Sequence, residues 1–326
     1  MAQLKIGAFE LHPFDLAAKD EMESYLARLD LETSDYTFAA NYIWLSHVSG
    51  FYAIIEDTFC FFMLAGGDIS MVLPPLGRKE DCYKAMQVCF DLMNSNNKSK
   101  YHSKIDYVDE QMLEGFVNLL EGNSDIFEML EHYLVERQLV DYVYETDALI
   151  DLKGNDYQNK RNEINKFKRA HPNYRTEVLD IEKHSAGIQR LFHKWVADRM
   201  KFMPNEKADA FMDGIYFERL ALEKIIKDYA ALSLIGLVIY IDDEIKGFTV
   251  GERINATTAS IIIEKTDFEV LGCAQFIFRE FSKQLKETYQ SQYINVGDDM
   301  GFENLKKVKM SYRPCKLIPK YTIYQK

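Results

Sequence analysis

Residues 232–264 read LSLIGLVIYIDDEIKGFTVGERINATTASIIIE, and this stretch sets the fold. Three apolar runs, Leu232–Ile241, Ile245–Glu252 and Thr257–Glu264, are separated by the polar turns Asp242-Asp243-Glu244 and Asn255-Ala256. β-branched and aromatic residues bounded by Asp and Asn clusters predict an antiparallel meander. Upstream, the spacing predicts a strand at Tyr174–Leu179 and helices over about Ile181–Met200 and Ala208–Ala230. Downstream it predicts a helix over about 271–287, a strand at Tyr293–Asn295, a helix over about 302–310 and a last strand at 320–324.

The first half carries the same order. Helical spacing covers residues 14–30, and Ser34 is placed to cap a second helix running to about Val48. Three apolar runs follow, Phe51–Glu56, Phe59–Leu64 and Ile69–Leu73, with Gly66-Gly67-Asp68 as a turn. Then come a helix at about Glu80–Met93, a strand near Ile105, a helix over about 109–120 and a strand near Phe127. Both halves therefore read helix, helix, three strands, helix, strand, helix, strand. The expectation is an α/β chain with mixed sheets, divided into domains at 1–152 and 153–326. This order is the layout of the GNAT acyltransferase fold, in which the sheet splays after its central strand and an acyl carrier lies in the cleft. Fold alone assigns no activity, so the chemistry must come from particular side chains.

With 326 residues, 47% hydrophobic and 28% charged, the chain has ample material for packed cores and is neither disordered nor collagen-like. Leu232–Ile241 is its cleanest apolar run, about half of what a membrane-crossing helix needs. The start, MAQLKIGAFELHPFD, lacks the basic-then-apolar layout of a secretory signal. Cys60, Cys82, Cys89, Cys273 and Cys315 form no C-x-x-C pair. A reduced, cytoplasmic setting is expected, with the cysteines as small core residues and no metal site. The formal charge of −12 argues against indiscriminate coating of nucleic acid or lipid. It is unevenly spread: residues 1–152 hold 27 acids against 10 bases, whereas 153–175 hold 7 bases against 2 acids and 300–326 hold 7 against 1. The two basic islands read either as solvated faces or as converging on a polyanion such as RNA or nucleotide phosphates.

Three clusters are candidates for chemistry. In the helix predicted from about Tyr157, Lys160 projects from the stripe of Tyr157, Ile164 and Phe167, with Arg161 and Lys168 at its edge. A cation there either snorkels past its neighbours or meets an anion in a cleft. The run Glu264-Lys265-Thr266-Asp267 closes a strand just before a helix, where ligand-binding groups gather in α/β sheets. A carboxylate at that point serves either as a general base or as part of a polar turn. Asp298-Asp299 precedes a helix that it can cap, and Phe302, Leu305 and Lys309 share one helical face with Tyr312 beyond. Phosphate-cradling motifs such as G-x-x-x-x-G-K-[ST] and G-x-G-x-x-G are missing from the sequence. At the GNAT coenzyme A motif [QR]-x-x-G-x-[GA] stands Glu269-Val-Leu-Gly272-Cys-Ala274, with an acid in place of the leading Gln or Arg. That acid repels a pyrophosphate.

Several of these runs, taken together, resemble the C-terminal catalytic domain family of the phosphatidylglycerol lysyltransferases: Leu152-Lys-Gly154, Lys160-Arg161-Asn162, Ile164-Asn165-Lys-Phe167, Glu264-Lys265-x-Asp267, Gly272-x-Ala274-Gln275, Asn295-x-x-Asp298-Asp299-x-Gly301 and Lys309-x-Ser311-Tyr312-x-Pro314. Tyr42-x-Trp44 and Asp141-Tyr-Val-Tyr144 are similar to it as well. The resemblance implies a tandem GNAT-like fold related to the Fem-type aminoacyl transferases, and transfer of an aminoacyl group from aminoacyl-tRNA. It implies that Lys160, Arg161 and Asn165 line the donor or phosphate side. Glu264, Lys265, Asp267, Asp299, Lys309 and Tyr312 would line the reaction side, with Gly272 and Ala274 at the carrier-binding turn. Lipid-acting members carry an N-terminal multi-span membrane domain, a feature these 326 residues do not contain, which weighs against a lipid acceptor; the expected acceptor is an amine or hydroxyl.

The leading expectation is a transferase passing an acyl or aminoacyl group directly to its acceptor, with Glu264 or Asp267 taking the nucleophile's proton and Lys or Arg steadying the oxyanion. Two alternatives stand beside it: an acyl-CoA-dependent N-acetyltransferase, supported by Gly272-x-Ala274 and opposed by Glu269, and a non-catalytic protein whose cleft binds a phosphate-bearing or peptidic ligand. Expected partners are tRNA or a phosphate-bearing small molecule.

Overall fold

The computed structural model describes residues 4–6, 9–45, 47–114, 132–201 and 205–326, with side chains of 205–211 left aside. The chain forms two compact units, Met1–Asp141 with Leu317–Lys326, and Tyr142–Lys316. The sequence division falls after residue 152, whereas Tyr142–Leu152 packs within the second unit and the last ten residues return to the first.

In the first unit, β1 (Leu4–Ile6) and β2 (Phe9–Pro13) pair antiparallel, two strands that the sequence reading did not foresee. The helix expected over 14–30 is shorter. A 3-10 turn at Leu16–Ala18, capped by Asp15, leads into α1 (Lys19–Leu26). Helix α2 (Phe38–Trp44) is capped by Thr37, whose hydroxyl accepts the Ala40 N–H at 3.0 Å, and not by Ser34. Ser34 instead donates its backbone N–H to buried Asp141. Strands β3 (Ser49–Ile55), β4 (Thr58–Ala65) and β5 (Asp68–Met71) form the expected meander. Gly66 and Gly67 close its second turn at φ 61° and 88°, a left-handed backbone that glycine adopts without steric cost. Helix α3 (Lys79–Asn96) then brings β6 (Lys104–Asp109) back parallel to β5. The helix expected over 109–120 and the strand near Phe127 fall largely outside the described residues, and a strand, β7, is described from Tyr133 to Glu145.

The second unit repeats the plan with closer agreement to expectation. After α4 (Thr146–Asp151), unforeseen, and α5 (Gln158–Ala170) come β8 (Arg175–Val178), α6 (Ile181–Lys201) and α7 (Asn205–Asp228). The quoted stretch becomes β9 (Ile235–Ile241), β10 (Glu244–Arg253) and β11 (Thr258–Thr266), antiparallel throughout. Helix α8 (Cys273–Tyr289) returns the chain to β12 (Tyr293–Asn295), parallel to β11. Helix α9 (Glu303–Met310) and β13 (Lys316–Gln325) end it. The switch from antiparallel β9-β10-β11 to parallel β11-β12 is the same as that between β3-β4-β5 and β6, so each unit is a mixed sheet of GNAT-like order. The strand next to β12 is the end of β7, through Val143–Glu145, and the strand next to β6 is β13. The last strand of the first half thus pairs beside β12, and the last strand of the second half pairs beside β6.

In the second unit α6 and α8 both pack on β10 and β11. Lys265 of β11 reaches α6 and α7, so Glu264, its neighbour on a strand whose side chains alternate, points to the α8 side. Helix α8 is covered by α4 and α5. Among the described residues no helix is long and apolar enough to cross a membrane.

Candidate functional site

All sequence-predicted site residues lie in the second unit, and they separate into four groups. The first surrounds Tyr312, just past α9. Its ring is packed edge-on by Phe278 of α8 at 4.8 Å and by Tyr144 of β7 at 6.3 Å. The phenol of Tyr157 donates to the Tyr312 carbonyl at 2.9 Å, and that of Tyr144 to the Lys309 carbonyl. Lys160, one turn into α5, sets its ammonium 3.9 Å from the Tyr312 ring centroid and donates to Ser311 Oγ at 2.7 Å. Burial lowers its pKa. A cation over a π-face beside a hydroxyl is the arrangement that makes a half-buried lysine tolerable.

Glu264 faces this cluster. Its Oε2 is fully buried and has no hydrogen-bond partner among the described residues. Burial pushes its carboxyl up to about 8, against smaller opposing pulls from the Lys265 charge and the Thr249 hydroxyl. Burial also raises the Tyr312 phenol, with the Glu264 charge adding to the rise. Cys273, buried at the start of α8, is raised likewise by burial, then by Glu264 and Asp267. Tyr312 therefore links the two groups, with the Lys160 ammonium over its ring and its phenol close enough to Glu264 to be raised by that charge. Such a set can move a proton and stabilise a developing oxyanion.

The second group is structural in its contacts. Lys309 donates to the carbonyls of Val296, Gly297 and Asp298, which holds the loop after β12. Asp299 accepts the Tyr142 phenol at 2.5 Å and the Gly301 N–H. Neither Asp298 nor Asp299 caps α9, whose N-cap is Phe302. The Phe302-Leu305-Lys309 face is not buried: no residue of α9 is.

In the third group, Asp267 is buried and held by Lys194 at 2.9 Å, Lys246 at 3.2 Å and the Glu269 N–H. Its burial opposes ionisation, but the Lys194 ammonium, the Glu269 N–H and the Lys246 ammonium outweigh it and keep its pKa low. It is thus a fixed anion, a poor proton acceptor at neutral pH. Lys265 donates to Glu218 at 2.9 Å and stands over the Trp195 ring at 3.9 Å, on the sheet face away from Glu264.

The fourth group separates Arg161 from its sequence neighbour. Arg161 turns to the carbonyls of Leu152 and Gly154, which fixes the left-handed turn at Leu152. With exposed Asn165 it lines a pocket of about 190 Å³ shared with Asp151, Leu152, Ile164 and Arg279. At the carrier-binding turn, Gly272 has φ 80°, and a Cβ there would stand 2.2 Å from the Glu163 carbonyl oxygen of α5. The glycine is required by this helix contact. Ala274 is exposed one residue into α8.

Sequence reasoning missed Arg279, Lys194, Lys246 and Trp195, and quoted Ser311 only as part of a motif. Arg279 sits in an ordinary-looking amphipathic helix, and nothing local marks it. Tyr142 and Tyr144 were visible as part of Asp141-Tyr-Val-Tyr144, but their partners lie more than 150 residues away. The expectation that every cysteine is a core residue holds for four, while Cys315 is exposed and its thiol contacts the Val143 carbonyl.

In each unit three antiparallel strands pass into a parallel one, and this mixed α/β order is GNAT-like. Within that class the assignment is narrower. A sequence model of the family "Phosphatidylglycerol lysyltransferase, C-terminal" matches residues 26–324, and the chain belongs to this family. A crystal structure of a conserved protein of unknown function from Bacteroides thetaiotaomicron is similar over 99% of this chain and 100% of that one, at 24% identity and TM-score 0.80. The L-PGS structure from Bacillus licheniformis is similar over 96% of this chain and 92% of that one, at 12% identity and TM-score 0.64. An uncharacterised protein of Mycoplasmoides gallisepticum, MYCGA3080, is 25% identical over 191 residues, which span 58% of each chain.

Proposed function

We propose that this protein transfers an aminoacyl group from an aminoacyl ester, aminoacyl-tRNA being the donor, to an amine or hydroxyl acceptor at the Glu264–Tyr312–Lys160 cluster. The observation that carries the reading is the buried, unpartnered Oε2 of Glu264, with its carboxyl raised to about 8 beside a neutral phenol and an ammonium. In the reaction the acceptor's nitrogen or oxygen forms the new bond to the ester carbonyl carbon and its proton passes to the Glu264 carboxylate. The Tyr312 hydroxyl and the Lys160 ammonium stabilise the oxyanion. The ester C–O bond then breaks, and Glu264 returns the proton to the leaving hydroxyl. A proton carrier with a pKa near the working pH suits both halves of this exchange. Asp267, locked among two lysines, serves position and not proton transfer.

An acyl-CoA donor is the less favoured reading. The turn that would cradle a pyrophosphate is met by the Glu163 carbonyl at Gly272 and flanked by Glu269, both repulsive to phosphate. Family membership supports the aminoacyl donor and leaves a lipid hydroxyl among the acceptors to be tested. The test offers labelled aminoacyl-tRNA and labelled acetyl-coenzyme A separately, each with small amines and with phosphatidylglycerol vesicles. The expected result is transfer from aminoacyl-tRNA alone, reduced at least ~100-fold in Glu264→Gln. Folded protein that transfers from neither donor overturns the proposal.

A further inference from the structure

The pocket beside α5 contains more cationic capacity than its structural contacts use. Arg161 donates through Nη1 to two carbonyls, and its Nε and Nη2 have no partner among the described residues. Arg279, on α8, donates through Nε to the Ile150 carbonyl at 2.7 Å, and its Nη1 lies 4.0 Å from Glu280, too long for a hydrogen bond. Both guanidinium groups line the same cavity of about 190 Å³, with the Asn165 side chain and the apolar walls Leu152 and Ile164. Its one acid, Asp151, is paired with Lys153 at 2.6 Å, and the Lys153 ammonium keeps its carboxyl low. The cavity therefore has a net positive lining. Each guanidinium is pinned on one edge by a backbone carbonyl and so presents its remaining N–H groups in a fixed direction.

Two pre-oriented guanidinium forks suit tetrahedral oxyanions better than single point charges, because each offers paired, parallel donors. We propose that Arg161, Asn165 and Arg279 form a phosphate subsite, in which Arg279 is the selective member since Arg161 also holds the α4–α5 loop. This deepens the donor assignment above: the subsite takes a phosphate of the donor, carried either on an RNA backbone or on a small phosphate ester.

Isothermal titration of the full chain with inorganic pyrophosphate, and separately with a short single-stranded RNA ending in CCA, tests it. Wild type binds at least one probe, with affinity falling as salt rises. Arg279→Gln weakens that binding tenfold or more while its thermal midpoint stays near wild type, and Arg279→Lys recovers part of it. Binding of RNA but not pyrophosphate assigns the subsite to a nucleic-acid donor, and the reverse to a small ester. Equal binding by wild type and Arg279→Gln, or binding of neither probe, overturns the subsite. Glu264→Gln is the separating control: it retains phosphate binding where only transfer fails. Transfer without any Arg279-dependent binding leaves the transferase reading standing and removes this one.

Discussion

Glu264 and Lys160 can be tested one atom group at a time. The folded-state pKa of Glu264 stands near 8, above the ordinary 4.5, so folding favours the neutral acid. The resulting stability is complete below about 4.5 and is withdrawn as pH rises through 8. Stability from urea melts between pH 5 and 9 should therefore fall more steeply for wild type than for Glu264→Gln, by roughly 3–4 kcal/mol across the range. Parallel curves would mean that the carboxyl is not desolvated. Transfer in wild type should rise with pH through about 8 as the base form appears, and that limb should vanish in the glutamine variant. For Lys160, replacement by Met keeps the apolar stem and removes the buried ammonium. Stability should change by less than ~1 kcal/mol or increase, while transfer drops at least ~10-fold. At this scale the sequence singled out candidates by residue type and spacing. It placed Lys160 on an apolar stripe correctly, and it named Tyr312 and Glu264 as site members. It could not tell Glu264 from Asp267, because the difference lies in neighbours contributed by α6 and β10: two lysines hold one carboxylate charged, while none holds the other.

Between elements, the contact of α5 with the start of α8 bears on the proposed choice of carrier. Gly272 takes a left-handed φ of 80° against the Glu163 carbonyl, so Gly272→Ala combines backbone strain with a steric overlap. The variant should lose roughly 2–4 kcal/mol in a denaturant melt. A neutral result would show that α5 is free to withdraw and would reopen the coenzyme A reading. Element order was legible because antiparallel runs divided by Asp-Asp, Gly-Gly and Asn turns are local in sequence. The short α4 was not, since Ala148–Ile150 reads as well for a strand, and neither was the cap of α2, where Thr37 prevails over Ser34 because Ser34 is drawn to Asp141.

For the whole molecule, the return of β13 to the first unit carries a buried ion group with it. Lys320, 2% exposed in its side chain, lies 2.8 Å from Asp35 and 3.0 Å from Asp141, whose side chain is fully buried. Lys320→Met strands Asp141 and should destabilise the first unit by roughly 3–5 kcal/mol, and adding Asp141→Asn should recover part of the loss. Limited proteolysis checks the locality: cleavage should appear first within residues 4–114, with α6 to α8 still protected. Uniform cleavage would mean that the units unfold together. Periodicity and turn chemistry were enough for the α/β plan with mixed sheets, because each depends on residues within a few positions of one another. Three features depended on tertiary packing: the exchange of last strands between the halves, the grouping of Arg161 with Arg279 instead of Lys160, and the contrast between an up-shifted Glu264 and an ionised Asp267. Each arises from desolvation and pairing among groups that the chain brings together over 70 to 280 residues, distances at which local pattern carries no information.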